Sequence, residues 1–146
     1  EKPEIAAPAS GRLVLTPHPG EMARMLGIEV AAVQADRLAA ARDAAERFSA
    51  IIVLKGARTL VVAPDGRWAV RNLPNSALAV AGSGDVLTGV LGGLLAQGVP
   101  PWQAACAAVI IHSRAGTLVR SERGSRGAMA SDVVDALGLA SVATPA

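Results

Sequence analysis

The sequence predicts a layered α/β domain with helices on both faces of a sheet. Three observations lead there. Short runs rich in β-branched residues alternate with helical stretches, interrupted by one hairpin. A glycine-rich loop, Gly82-Ser83-Gly84, runs straight into a long apolar stretch. Hydrophobic residues make up 51% of the chain and charged residues 18%, which supplies a core and excludes disorder. The 146 residues are read as one domain, 1–146.

Residues 1–11, with Pro3, Pro8 and Gly11 among small residues, read as a flexible leader. Arg12-Leu13-Val14-Leu15-Thr16 is a short strand, stopped by Pro17-His18-Pro19-Gly20. Glu21 to Leu26 is a short helix ended by Gly27. Val30 to Phe48 reads as one long helix, with Val33, Leu38, Ala41, Ala45 and Phe48 inward and Arg37, Arg42, Glu46 and Arg47 on the wet side. Ile51-Ile52-Val53-Leu54 suits a strand covered on both faces, as in a parallel sheet. Thr59 to Ala63 and Arg67 to Arg71 form a hairpin around Pro64-Asp65-Gly66. Asn72 to Ala81 is a loop. Val86 to Gln97 is apolar all round and is expected to be a buried helix. Pro101 to Arg120 is a further helix with Pro at its start. Ser121 to Gly127 reads as a polar loop, and Ser131-Asp132 as the cap of a last helix, Val133 to Leu137. So few strands can hardly cover these helices, and part of the sheet is expected to lie outside this chain.

Composition narrows the function. The net charge is +2, and the basic residues are scattered. Aromatic residues are 2% with no Tyr, so no stacking platform for nucleic acid is present. The single Cys106 excludes an internal disulfide and a cysteine-rich zinc site, and reads as a small buried hydrophobe. His18 and His112 lie too far apart in sequence for a local metal motif. Glu1-Lys2-Pro3-Glu4 does not read as a signal peptide, and the apolar run Val86 to Val99 is expected to be too short to span a bilayer. The expectation is a cytoplasmic protein with neither nucleic-acid nor membrane partners.

The chemistry concentrates at Gly82-Ser83-Gly84-Asp85. The first turn of a helix has N–H groups without intrahelical partners, and the helix dipole favours an anion there. Gly82 and Gly84 carry no side chain to shield that end. Asp85 beside it could accept a proton from a hydroxyl attacking a phosphate. The competing reading is plain capping of the helix by Ser83 or Asp85.

Leu15-Thr16-Pro17-His18-Pro19-Gly20-Glu21, Val53-Leu54-Lys55-Gly56-Ala57, Gly82-Ser83-Gly84-Asp85-Val86-Leu87-Thr88-Gly89 and Leu95-Ala96-Gln97-Gly98 follow one another in order. Together they resemble the nucleotide-dependent (S)-NAD(P)H-hydrate dehydratases of the ribokinase-like superfamily, over about Leu13 to Leu137. The resemblance implies a three-layer fold, with a mostly parallel sheet, helices on both faces and a β-hairpin. It implies a repair enzyme: ADP or ATP phosphorylates the hydroxyl of a hydrated nicotinamide cofactor, and loss of phosphate regenerates NADH or NADPH. Mg²⁺ would arrive with the nucleotide phosphates. The family commonly forms homo-oligomers.

By the same resemblance, Asp85 is the catalytic base and touches the damaged ring. Gly82, Ser83 and Gly84 hold the transferring phosphate through backbone N–H groups. Lys55, Gly56, Ala57, Arg58 and Thr59 match the nucleotide-binding segment, and His18 and Glu21 match the substrate side. Each has a structural rival. Lys55 could be a strand-end charge, although the only other Lys is Lys2. His18 could be a rigid turn residue, and Glu21 could favour its own helix N-terminus. His112 is read as a packing residue.

Two departures stand out. The family commonly reads Asn-Pro-Gly-Met-Ala-Thr-Gly-Gly before its acidic motif. Here Asn75-Ser76-Ala77-Leu78-Ala79-Val80-Ala81-Gly82 takes its place, and Leu73-Pro74 replaces a Thr-Gly. The family domain is also longer than this chain, which reads as its C-terminal half. That reading predicts an inactive isolated chain that self-associates or docks to a missing N-terminal half. The alternatives are a ribokinase-like kinase of a vitamin precursor or sugar, and a non-catalytic nucleotide-binding fragment.

Overall fold

The computed structural model describes residues 12–124 and 127–142. The leader expected over residues 1–11 lies outside the described residues. The chain divides after Val70 into two compact units.

Unit one is built on a sheet of strand order β1-β2-β3-β4, with β1 Val14–Leu15, β2 Ile51–Leu54, β3 Thr59–Val62 and β4 Trp68–Arg71, the last running through the boundary. The sheet is mixed. β1 runs parallel to β2, with Val14 opposite Ile51, and β2 runs antiparallel to β3, with Val53 opposite Val61. All of β2 is buried, as its unbroken apolar run requires. Side chains alternate between the faces. Ile52, Leu54, Leu60 and Val62 share a core with helices α1 (Pro19–Leu26), α2 (Val30–Ala35) and α3 (Arg37–Arg47). Ile51, Val53, Val61 and Ala63 are buried too. The hairpin turns at Gly66, whose φ of +90° suits glycine.

Helix α1 stops at Gly27, which has φ +71° and closes the last turn onto Ala23. The single helix expected over Val30 to Phe48 is two helices. Asp36 adopts φ −141°, ψ 86° between them, and its carboxylate accepts the Ala39 N–H at 2.9 Å. A short acidic side chain competes for backbone donors, so it breaks one helix and caps the next. Small residues let α3 approach the sheet closely: Ala40, Ala41, Ala44 and Ala45 are all buried.

Unit two holds a 3-10 turn, Ser76–Leu78, and helices α4 (Ser83–Ala96), α5 (Pro101–Arg123) and α6 (Ala130–Ser141). Its core gathers Ala77, Ala115, Val119, Val133 and Ala140. Gly116 of α5 is required by the turn: a Cβ there would lie 2.5 Å from Leu78.

Several boundaries move. α5 continues through Ser121–Arg123, where a loop was expected, and ends at Gly124 with φ +75°. Residues 125 and 126 of that loop lie outside the described residues. α6 begins at Ala130 rather than Val133, capped by neither Ser131 nor Asp132 as N-cap; Asp132 accepts the Met129 N–H from within the first turn. α4 is not the buried helix its composition suggested. Only Ser83, Leu87 and Leu91 are buried, a single i, i+4 stripe, while Gly89, Gly92 and Gly93 have open space around them. Cys106 is half-buried rather than fully buried.

Candidate active site

In unit one the site residues lie at the carboxyl ends of two parallel neighbours. The Lys55 N–H donates to the Pro17 carbonyl at 2.9 Å, which extends the β1–β2 ladder and sets the loops after both strands side by side. This is where open α/β sheets place ligand-binding loops.

His18 is the N-cap of α1. Its Nδ1 accepts the Gly20 N–H at 3.0 Å and the Glu21 N–H at 3.2 Å. Because Nδ1 accepts, the neutral ring carries its proton on Nε2, which faces Glu21 Oε1 at 3.3 Å. Glu21 returns the cap: Oε2 accepts the His18 N–H at 2.6 Å and lies 3.5 Å from Lys55 Nζ. Burial works to raise the Glu21 pKa, but the His18 amide and the Lys55 ammonium outweigh it and the carboxyl sits below its ordinary value. His18, Glu21 and Lys55 thus form one connected, half-exposed polar group. Lys55 is followed by the exposed residues Gly56, Ala57 and Arg58, and by Thr59, whose Oγ1 donates to the Gly56 carbonyl at 3.2 Å.

Arg37 was expected on the wet side of a helix and is not there. As the first residue of α3 it turns its guanidinium onto the end of β2. Nη2 donates to the carbonyls of Leu54 (3.2 Å), Lys55 (3.0 Å) and Arg58 (3.4 Å), and Nη1 donates to Gln34 Oε1 (2.9 Å). Burial lowers its pKa.

In unit two the glycine loop forms the start of α4. Gly82 is the N-cap with φ +84°, and Ser83, Gly84 and Asp85 are the first helical residues. The capping by Ser83 or Asp85 that the competing reading required is absent; the cap is a glycine with no side chain to offer. The Ser83 N–H donates to the Val80 carbonyl at 3.2 Å, and the Asp85 and Val86 N–H groups donate to the Gly82 carbonyl at 3.0 and 3.1 Å. The Gly82 and Gly84 N–H groups have no hydrogen-bond partner among the described residues. The exposed Asp85 carboxylate likewise has none. Unpartnered amides at a helix N-terminus bind anions.

His112, read from the sequence as packing, is instead polar structure. Nε2 lies 2.9 Å from the Ser83 carbonyl oxygen and 3.0 Å from Ser83 Oγ. A carbonyl only accepts, so Nε2 is the donor. His112 is 9% exposed, and burial lowers its pKa more than the Ser83 carbonyl raises it. The signal that could have found it is a lone imidazole in the apolar run Val109-Ile110-Ile111, where a buried polar ring needs a partner.

The sequence profile of the NAD(P)H-hydrate dehydratase family matches residues 1–138. The chain belongs to that family. It is 50% identical over 125 residues to the ADP-dependent (S)-NAD(P)H-hydrate dehydratase of Neisseria meningitidis serogroup B, covering 85% of this chain and 42% of that protein. It is 48% identical over 127 residues to the bifunctional NAD(P)H-hydrate repair enzyme Nnr of Moorella thermoacetica, covering 87% of this chain and 24% of that one. Among solved structures, the ADP/ATP-dependent NAD(P)H-hydrate dehydratase of Bacillus subtilis, co-crystallised with ATP/Mg²⁺, superposes with a TM-score of 0.80 at 35% identity, over 87% of this chain and 46% of that one. The chain therefore spans less than half the length of the curated relatives it matches, and its α/β fold is ribokinase-like. Among the described residues of this family member no helix is long and apolar enough to cross a membrane.

Proposed function

We propose that the chain serves in ADP- or ATP-dependent dehydration of (S)-hydrated NADH or NADPH. The observation that carries this reading is the start of α4, where the unpartnered Gly82 and Gly84 amides stand in the same turn as the exposed Asp85. The family relationship supports the substrate class.

In this reading Asp85 takes the proton of the hydroxyl on the hydrated ring. That oxygen attacks the terminal phosphorus, and the nucleotide departs one phosphate shorter. The Gly82 and Gly84 N–H groups face the charge on the moving phosphoryl group. Phosphate then leaves with its carbon–oxygen bonding pair, the neighbouring ring carbon loses a proton, and the double bond is restored. Phosphate is a far better leaving group than hydroxide, which is the reason to phosphorylate at all. Ser83 is held by His112 and shapes the turn. Lys55 to Thr59 bind the nucleotide, and His18 with Glu21 contact the hydrated cofactor. Mg²⁺ would neutralise nucleotide phosphate oxygens. Mg²⁺ of this kind keeps phosphate and water oxygens as its main ligands. A nucleotide and a nicotinamide cofactor as substrates support a cytoplasmic location.

The test is to mix the protein at its natural length with hydrated NADH and ADP or ATP and to follow reduced-nicotinamide absorbance. Recovery with release of phosphate is the expected result. Nucleotide consumption without recovery would mark a kinase, and neither would mark a binding module.

A further inference from the structure

We propose that Arg37 is a positioning residue for the nucleotide, acting through the loop Lys55 to Thr59; this rests on the dehydratase reading above. The loop joins β2 to β3, and its own side chains tie it only at its two ends, through Lys55 Nζ near Glu21 Oε2 and Thr59 Oγ1 on the Gly56 carbonyl. Arg37 supplies the anchor from another element. A single nitrogen, Nη2, gathers the Leu54, Lys55 and Arg58 carbonyls, two at the start of the loop and one near its end. The guanidinium thereby closes the neck of the loop and turns those carbonyls inward.

The loop's amides are left over. The Gly56, Ala57 and Arg58 N–H groups have no hydrogen-bond partner among the described residues. A loop whose carbonyls are drawn to a cation on one side while successive amides stand unpartnered suits an anionic or acceptor-rich ligand. A nucleotide is such a ligand.

Gly56 reports the same fit from the backbone. Its φ is +154°, and a Cβ built on it would lie 2.8 Å from Arg37 Nη2. Glycine at this position lets the guanidinium approach the loop. Lysine would replace Arg37 only in part, since one ammonium on a flexible stem lacks the planar fork that serves Gln34 and the carbonyls together. The break at Asp36 belongs to the same device. It starts α3 at Arg37, on the residue that must reach the end of β2.

The experiment measures ADP affinity by calorimetry, together with KM for ADP, KM for hydrated NADH and kcat, on the wild-type protein at its natural length and on Arg37→Met, Arg37→Lys and Gly56→Ala. Expected are an ADP Kd and KM raised tenfold or more in Arg37→Met and Gly56→Ala, a smaller rise in Arg37→Lys, and a KM for hydrated NADH within about twofold of wild type. Ethylguanidinium added to an Arg37→Ala protein should restore part of the ADP affinity. Wild-type binding of ADP with unchanged affinity in every folded variant overturns this inference alone. A wild-type protein that neither binds ADP nor turns over overturns the dehydratase reading and this inference with it. Should Arg37→Met fail to fold, Arg37→Lys and Gly56→Ala decide: equal rises in both KM values mean a merely structural Arg37.

Discussion

His112 Nε2 lies 2.9 Å from the carbonyl oxygen of Ser83 and 3.0 Å from its hydroxyl, so one ring nitrogen of α5 holds the first turn of α4. Asp85 follows two residues later. The stiffness of the proposed base and anion turn thus depends on a buried side chain of a neighbouring helix.

His112→Ala should therefore lower both stability and turnover. Loss of a buried hydrogen-bond donor costs about 1–3 kcal/mol. At about 2–4 °C per kcal/mol for a domain of this size, the melting temperature should fall by several degrees. His112→Gln, which can donate from its amide, should recover part of that. Differential scanning calorimetry and steady-state assays on both variants check it, and an unchanged melt for His112→Ala would leave the ring as packing only.

The same burial sets a pH dependence. The His112 pKa is lowered from 6.5 in the folded protein. The unfolded chain therefore binds a proton that the folded chain resists, and stability rises with pH across that interval. The contribution is fully present above pH 6.5, the unfolded value, and is lost as the pH falls through the lower folded value. The difference in unfolding free energy between wild type and His112→Gln should be constant above pH 6.5 and should shift in favour of the variant as the pH falls below it. Parallel behaviour of the two proteins at all pH values would sink this assignment.

Substitutions at His18 separate its observed capping role from its proposed contact with the hydrated cofactor. Its Nδ1 caps α1, and Asn caps helices at least as well. His18→Ala should cost about 0.5–2 kcal/mol of stability, and His18→Asn little. If the imidazole also contacts the hydrated cofactor, both variants should raise KM for it. Normal KM with His18→Asn would reduce His18 to a cap.

These roles were unevenly legible in the sequence. β2 was plain, because Ile51-Ile52-Val53-Leu54 has only one comfortable environment, and the turns at Gly27 and Gly66 announced themselves by residue type. The break at Asp36 was hidden. Val33 and Ala41 keep helical spacing across it, and an Asp in a helical pattern gives no sign of whether its carboxylate faces water or the Ala39 amide. Arg37 was misread for the same reason: its partners are backbone carbonyls 17 to 21 residues away, which carry no residue-type signal. The Gly82 to Asp85 turn was found by glycine content, but its cap was not, since Gly82 caps through backbone conformation alone.

Asp85→Asn tests the proposed base. The carboxylate is exposed and the amide is nearly the same size, so the melt should not move. Turnover should drop by about 10²–10⁴-fold, the usual worth of a general base. ADP affinity should stay within a few-fold. Retention of more than a tenth of the wild-type rate would refute the role.

Gly82 and Gly98 form a matched pair for the anion turn. Their φ values are +84° and +81°. An alanine in either place bears a left-handed backbone cost of about 1–2 kcal/mol. Gly98 has nothing within 4 Å of the added Cβ, whereas at Gly82 the Cβ would meet that of Ala130 at 3.1 Å. Gly82→Ala should thus lose somewhat more stability than Gly98→Ala. The larger contrast should be in binding. If the Gly82 and Gly84 amides hold the transferring phosphate, re-aiming them by relaxation of Gly82 should weaken nucleotide binding by tenfold or more. Gly98→Ala, with the same backbone penalty away from that turn, should bind as wild type does. Calorimetric titration with ADP, run beside thermal melts of both variants, reads the two effects separately. Equal ADP affinity in the two variants would return the start of α4 to an ordinary helix end.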